Sequence, residues 1–357
     1  MALTTVSPAL LDTQAQYTGF KNRIINGNMV IDQRNNGASV TPTDTAYTLD
    51  RWSFRLSQAS KFTTQKNAGS VTPPTGFANY LGVTSSSAYT VGASDFFTAV
   101  QYIEGYNLVD LAWGTASAQT VTLSFWVRSS LTGTFGGSFN NTNNTRSYPF
   151  SFSISSANTW EFKTVTVLGD TSGTWDTTTG RGVGVRFNLG AGSTYSGTAG
   201  VWSGSTFFAP TGAVSVVGTS GATFYITGVQ LEKGTAATSF DVIDYGRQLA
   251  QCQRYYIKYL SGTGTNNKLA SGIVDSTTAA TLSFGAVPMR AAPTGTYSAG
   301  AAVYDASIQL ITSVSSVSTI GATISASYTV ASGLTAGRGA LIRLNASTDY
   351  VDFSAEL

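Results

Sequence analysis

Asn140, Asn141, Asn143, Asn144 and Arg146 crowd into seven consecutive positions that end beside Tyr148. Amides and a guanidinium next to a flat ring are the groups that hold a sugar. The ring covers the apolar side of a pyranose, and the polar groups take its hydroxyls. Trp175 beside Asp176 offers the same combination, and Tyr195 and Trp202 add two more rings in loop-like sequence. These ten residues are the candidate glycan contacts, and the run 139–148 is the best single recognition loop. Its competing reading is a hairpin tip, since Asn enters turn conformations at little cost. Loops carry function more often than the scaffold beneath them, which keeps the run a candidate. Trp52, Trp113, Trp126 and Trp160 read as core or sheet-face packing.

Other chemistry has fewer tools. Cleaving a glycan takes two carboxylates about 5–10 Å apart. Asp95 with Glu104, Glu161 with Asp170 or Asp176, and Glu232 with Asp241 are the pairs on offer, and no spacing singles one out. The sequence contains no histidine and one cysteine, Cys252. His-based triads, His metal ligands, Cys-cluster zinc sites and an internal disulfide are therefore excluded. Asp241 and Asp244 are the nearest approach to calcium ligands, but no dense Asp/Asn loop surrounds them, so neither a metal nor a cofactor is expected. The glycine-rich stretches lack the Gly-Lys-Ser/Thr that would make a phosphate loop. The reading is binding without catalysis.

Charge points the same way. Of 357 residues only 11% are charged, with 20 Lys+Arg against 18 Asp+Glu; an ordinary soluble domain has roughly 25%. A net charge of +2 supports neither a nucleic-acid partner nor a membrane surface. The first residues have no basic and apolar signal pattern, and no stretch approaches the roughly 18 apolar residues of a span. No export signal and no membrane insertion are expected.

The elements that must position these groups are strands. Val121, Leu123, Phe125 and Val127 alternate with Thr122, Ser124, Trp126 and Arg128. The same period of two runs through Trp52–Leu56, Tyr148–Ile154, Val183–Leu189 and Ile324–Val330, and it is the mark of half-buried antiparallel strands. The phase breaks twice, between Trp160/Phe162 and Val165/Val167 and between Phe224/Ile226 and Val229/Leu231 across Gly228. Each break reads as a β-bulge or as a strand covered on both faces. One helix is expected over 244–260, where Leu249, Cys252, Tyr256 and Leu260 form a stripe that buries the thiol. The Gly- and Asn-rich run 261–267 then reads as a linker, and residues 190–221 read as long loops. The organisation is an extended arm over 1–23, a larger β domain over 24–243, a connecting helix over 244–260 and a C-terminal β-sandwich over 261–357. No fixed-period repeat is present.

Several strings carry a resemblance. Asn-Arg-Ile-Ile-Asn-Gly-Asn-Met at 22–29 and Tyr-Thr-Leu-Asp-Arg-Trp-Ser-Phe at 47–54 resemble the opening of bacteriophage tail-fibre and virion-appendage proteins. Leu-Ser-Phe-Trp-Val-Arg at 123–128 and the string 224–240 resemble the jelly-roll module those proteins share with carbohydrate-binding modules. The strings 245–256 and 288–294 belong to the same pattern, so the resemblance covers most of the chain from Asn22 onward. It implies an all-β protein built on an antiparallel jelly-roll sandwich with a smaller C-terminal β domain. It also implies a virion protein, assembled in the host cytoplasm and released by lysis, commonly trimeric and mediating adhesion to a host-surface glycan. Jelly rolls serve as capsid domains and as lectins, so a structural decoration or adaptor protein stands as the alternative and a glycan depolymerase as the third reading. Low charge supports homo-oligomerisation in general, while the trimer comes from the resemblance. The arm, interrupted by Pro8, is expected to dock onto other virion proteins.

Overall fold

The computed structural model describes residues 20–262 and 264–357. Most of the expected arm, residues 1–19, lies outside the described residues. Arg23 does not behave as part of an arm: its N–H donates to the Leu231 carbonyl at 3.0 Å and its Nη2 reaches Asp110 at 2.8 Å. The described chain divides into two units, 20–243 and 244–356.

The first unit contains β1 (Tyr47–Leu49), β2 (Trp52–Leu56), β3 (Phe62–Lys66), β4 (Leu81–Ser85), β5 (Phe96–Glu104), β6 (Val121–Ser129) and β7 (Gly133–Asn140). It continues with β8 (Ser147–Ile154), β9 (Glu161–Val167), β10 (Arg181–Ala191), the short β11 (Ser196–Gly197) and β12 (Ala209–Pro210), and β13 (Thr223–Lys233). Six strands form one sheet in the order β1-β2-β5-β10-β7-β8, and five form the other in the order β3-β4-β13-β6-β9. All pairings within both sheets are antiparallel. The architecture is the antiparallel jelly-roll sandwich that the resemblance implies, built from the alternating strands.

The inward stripes meet as that alternation demands. Phe125 of β6 touches Phe187 of β10 and Phe152 of β8, both at 5.0 Å between ring centres. Each such fully buried ring contributes about 2–3 kcal/mol of hydrophobic stabilisation relative to exposure. The bulge read at Gly228 is present: β13 slips against β6 between Thr227 and Gln230, and Gly228 takes the left-handed φ of 60°. The bulge read in β9 is not. Its pairing with β6 is continuous from Val167 to Glu161, and the phase breaks because Phe162 lies on the outward face while Val165 and Val167 turn inward. Trp160 precedes the strand and packs on Tyr80 at 5.5 Å.

The second unit departs from expectation. The helix α1 (Tyr245–Gln253) is capped by Asp244, whose carboxylate accepts the Arg247 N–H at 3.1 Å. It stops there instead of reaching residue 260. Tyr256–Leu260 is a strand, β14. Aromatic and β-branched residues favour that state, and this run finds a five-residue register running from Tyr256–Ser354 to Leu260–Tyr350. The segment therefore belongs to the C-terminal unit, and the run read as a linker lies inside that unit. The rest is β15 (Asn267–Ser276), β16 (Ala279–Gly285), β17 (Thr294–Tyr297), β18 (Ala301–Tyr304), β19 (Ile308–Ile320), β20 (Thr323–Val330), β21 (Gly339–Leu344) and β22 (Tyr350–Ser354). Six of these close into a barrel, β15-β16-β20-β19-β18-β21, and β14-β22-β17 form a small sheet. A closed barrel stands where a second sandwich was expected. Ala280, Leu282, Phe284, Ile324, Ala326, Tyr328 and Ile342 fill its core.

Candidate functional site

The expected recognition loop is largely committed to holding the sandwich together. Asn141 is buried; its Nδ2 donates to Thr145 Oγ1 at 2.9 Å and to the Thr174 carbonyl at 3.1 Å, and its Oδ1 accepts the Arg146 N–H at 3.0 Å. Arg146 grips Asp170. Asn140 and Asn144 both turn toward Arg186, at 3.0 and 3.3 Å, and Asn143 is exposed at the tip.

Three of the predicted rings, Tyr148, Trp175 and Trp202, converge and pack against the edge of the core. Trp175 is 8% exposed and Tyr148 is also buried. Trp202 lies 5.1 Å from Tyr148 and 5.4 Å from both Trp175 and Trp113. Trp113 in turn meets the core ring Phe139 at 6.4 Å. The indole N–H groups of Trp175 and Trp202 donate to the Ser172 and Leu168 carbonyls at 3.1 and 2.7 Å. Tyr195 stacks on Phe208 at 5.0 Å with planes 9° apart. Asp176 accepts the N–H and hydroxyl of Thr178 at 2.6 and 2.7 Å. Tyr148 and Trp175 are buried, while Trp202 and Tyr195 are half-buried with part of each ring packed on another ring, because burying apolar ring surface against a neighbour removes it from water.

The carboxylates of the candidate pairs act as loop anchors. Asp95 accepts bonds from Tyr89, Ser57 and the Gly92 N–H. Burial alone would push its carboxyl up, and these donors hold it below the ordinary value. Glu161 is likewise held low, by Lys163 first and by the Ser155 and Ser156 N–H groups, against an upward push from burial. Glu232 takes the Thr238 N–H and hydroxyl at 2.8 and 2.7 Å. Among the described residues no three His, Cys, Asp or Glu side chains converge as a metal site.

The feature with the geometry of a ligand site lies on the outward face of the five-stranded sheet. Trp126 of β6 and Phe162 of β9 are register partners, with ring centres 5.5 Å apart. Phe77 and Phe240 form the facing wall, 5.2 Å apart. Ser124 and Gly228 lie between the walls, Thr238 and Ser239 complete the lining, and the groove encloses about 240 Å³. Phe162 is 47% exposed.

Local sequence explains the position of each wall. Trp126 sits in the polar phase of the β6 alternation, which turns it outward. Gln230 and Glu232 occupy the same outward phase of β13 and fasten the loop that carries Phe240: Gln230 Nε2 meets Glu232 at 2.9 Å, and Gln230 Oε1 accepts the Asp241 N–H at 2.8 Å. Gly228 is required twice over, by its positive φ and because a Cβ there would stand 2.6 Å from the tip of the Phe77 ring. Sequence reasoning set Trp126 aside as packing and passed over Phe162, Phe77 and Phe240. The available signal was a tryptophan out of phase with its own strand's core stripe. Among the described residues no charged side chain lines the groove, so it suits a neutral ring with one apolar face.

No family model matches the chain, and no curated protein matches it. Among solved structures it is similar to the enzymatically active domain of tailspike protein 4 of bacteriophage CBA120, at 11% identity and a TM-score of 0.33, over 60% of this chain and 21% of that one. It is similar to a carbohydrate-binding module in complex with β-1,4-galactotriose, at 10% identity and a TM-score of 0.30, over 60% of this chain and 99% of that one. It is also similar to the family 11 carbohydrate-binding module of a Clostridium thermocellum cellulase, at 14% identity and a TM-score of 0.28, over 56% and 98%.

Proposed function

We propose that this chain is a virion appendage protein whose sandwich holds a host-surface glycan in the Trp126–Phe162 groove, by binding and without chemistry. The observation that carries the glycan reading is the pair of register-matched rings on the wet face of a sheet, one of them about half exposed, with hydroxyls beside them. An aromatic ring left outside on a strand that already buries a complete stripe has its apolar face available to a sugar. The virion context rests on the strings at 22–29 and 47–54. In that context a homotrimer, anchored to other virion proteins through its N-terminal residues, would multiply weak single contacts. The test is adsorption of fluorescent protein to intact host cells, comparing the natural chain with Trp126→Ala. Equal adsorption by two equally stable proteins would remove the groove from function and favour a decoration role. Shortened polysaccharide chains after incubation would replace adhesion by cleavage.

A further inference from the structure

The outward face of the six-stranded sheet carries an unbalanced group of cations. Arg186 of β10 is 1% exposed, and every partner of its guanidinium is neutral. Asn140 Oδ1 lies at 3.0 Å, the Tyr102 hydroxyl at 3.2 Å, Asn144 Oδ1 at 3.3 Å and Thr98 Oγ1 at 3.5 Å. Phe208 covers it, 4.5 Å from the ring centre to the guanidinium carbon.

Two further arginines meet the same phenol. Arg181 lies over the Tyr102 ring at 4.2 Å, and Arg55 reaches its hydroxyl at 3.4 Å. Among the described residues only Arg55 of the three has a carboxylate partner, Asp44 at 2.9 Å. Glu104 stands opposite Arg181 in the strand register and has an interaction of its own. Arg51 donates to the Tyr102 carbonyl.

A guanidinium taken from water loses several kcal/mol of hydration, which neutral acceptors restore only in part. We propose that the mouth of this cluster, where the partly exposed Arg181 lies over the Tyr102 ring and the partly exposed Arg55 reaches its hydroxyl, is an oxyanion site that takes a carboxylate or sulfate group. The planar fork of a guanidinium matches two oxygens of such a group, and the Tyr102 hydroxyl supplies one more donor. The local field agrees. Burial would push the Tyr102 phenol up, but Arg186 and then Arg181 hold it below its ordinary value, so negative charge is favoured at this point. The site faces away from the aromatic groove, on the other sheet.

The experiment titrates the full chain with sodium sulfate at constant ionic strength, with chloride as the balance, and follows the thermal midpoint. A saturable rise is expected, and Arg181→Gln and Arg55→Gln should each weaken apparent affinity by about tenfold, the loss of one charge-assisted bond. Trp126→Ala should leave the sulfate response unchanged, so failure of this site and failure of the groove are separable. A second arm adds a sulfated oligosaccharide or its neutral counterpart. Competition by the sulfated one alone identifies a glycan substituent as the source, and no competition identifies the free ion; either outcome keeps the site. A response no larger than that to chloride, or one unchanged in both arginine variants, overturns it. So does a tyrosinate absorbance band at neutral pH without added anion, because the phenolate would then be the counter-charge.

Discussion

Arg146 holds Asp170 through Nε at 2.6 Å and Nη2 at 2.8 Å, a two-pronged grip on a carboxylate that is itself 2% exposed. The Gly173 Cα lies close under the same side chain, where an added Cβ would stand 2.4 Å from Arg146 Cγ. This arginine pins the 170–175 turn to the 141–146 loop and leaves little of its guanidinium for a ligand.

Arg146→Ala should therefore cost about 3 kcal/mol of stability, as expected when one partner of a largely buried pair is removed. Urea unfolding measures it. Adsorption per folded molecule should not change, and a selective loss of adsorption would restore Arg146 to a binding role.

The two classes of aromatic ring should separate cleanly. Trp175→Ala opens a hole among Trp113, Trp202 and the core, and should destabilise by about 3–5 kcal/mol. Phe162→Ala should change stability by less than about 1 kcal/mol and weaken glycan binding by a few-fold, the scale of one lost stacking contact. Thermal midpoint and adsorption rate on the same preparations decide it.

Gly228→Ala meets both a positive φ of 60° and the Phe77 ring. The strain amounts to about 1–3 kcal/mol. Phe77 must also move, so groove binding should fall further than the folded fraction does. Full adsorption by this variant would show that Phe77 is not part of the site.

Alkaline pH should act on the C-terminal unit. Burial pushes the Tyr259 phenol up to about 12, and Tyr328 is raised as well, by burial first and then by Tyr259 and Asp352. A folded pKa above the unfolded value of about 10 stabilises fully below pH 10 and loses that contribution as pH climbs to about 12. Tyr102, held low, has the opposite sign: ionising it favours the folded sandwich as pH rises toward 10. Near-ultraviolet circular dichroism across that range should show barrel tyrosines losing their fixed environment first.

Much of the sandwich was legible because a strand writes its burial in every second residue. Val121 to Val127, and the slip at Gly228, needed nothing beyond that rule. The site was not legible for the complementary reason. Tyr148, Trp175 and Trp202 look like exposed loop rings when each is read in its own segment. Tyr148 and Trp175 are buried and Trp202 half-buried because three distant segments meet, Trp175 and Trp202 on Trp113 and Tyr148 on Trp202, and no local pattern records such a meeting. The helix misread over 254–260 has the same origin: Tyr256 and Leu260 fit a helical stripe, but a waiting partner strand at 350–354 decided the matter.

Closure of the C-terminal barrel has a consequence for crowding. A sheet that ends exposes a row of unpaired amides, which invites the next molecule to add its own strand and begin a fibre. The six barrel strands pair in a closed order, so the barrel has no end strand. On the sandwich, β9 ends its sheet with Glu161 and Lys163 locked together at 2.6 Å, charges that an incoming strand would have to strip of water. At these two places edge-to-edge polymerisation is thereby opposed.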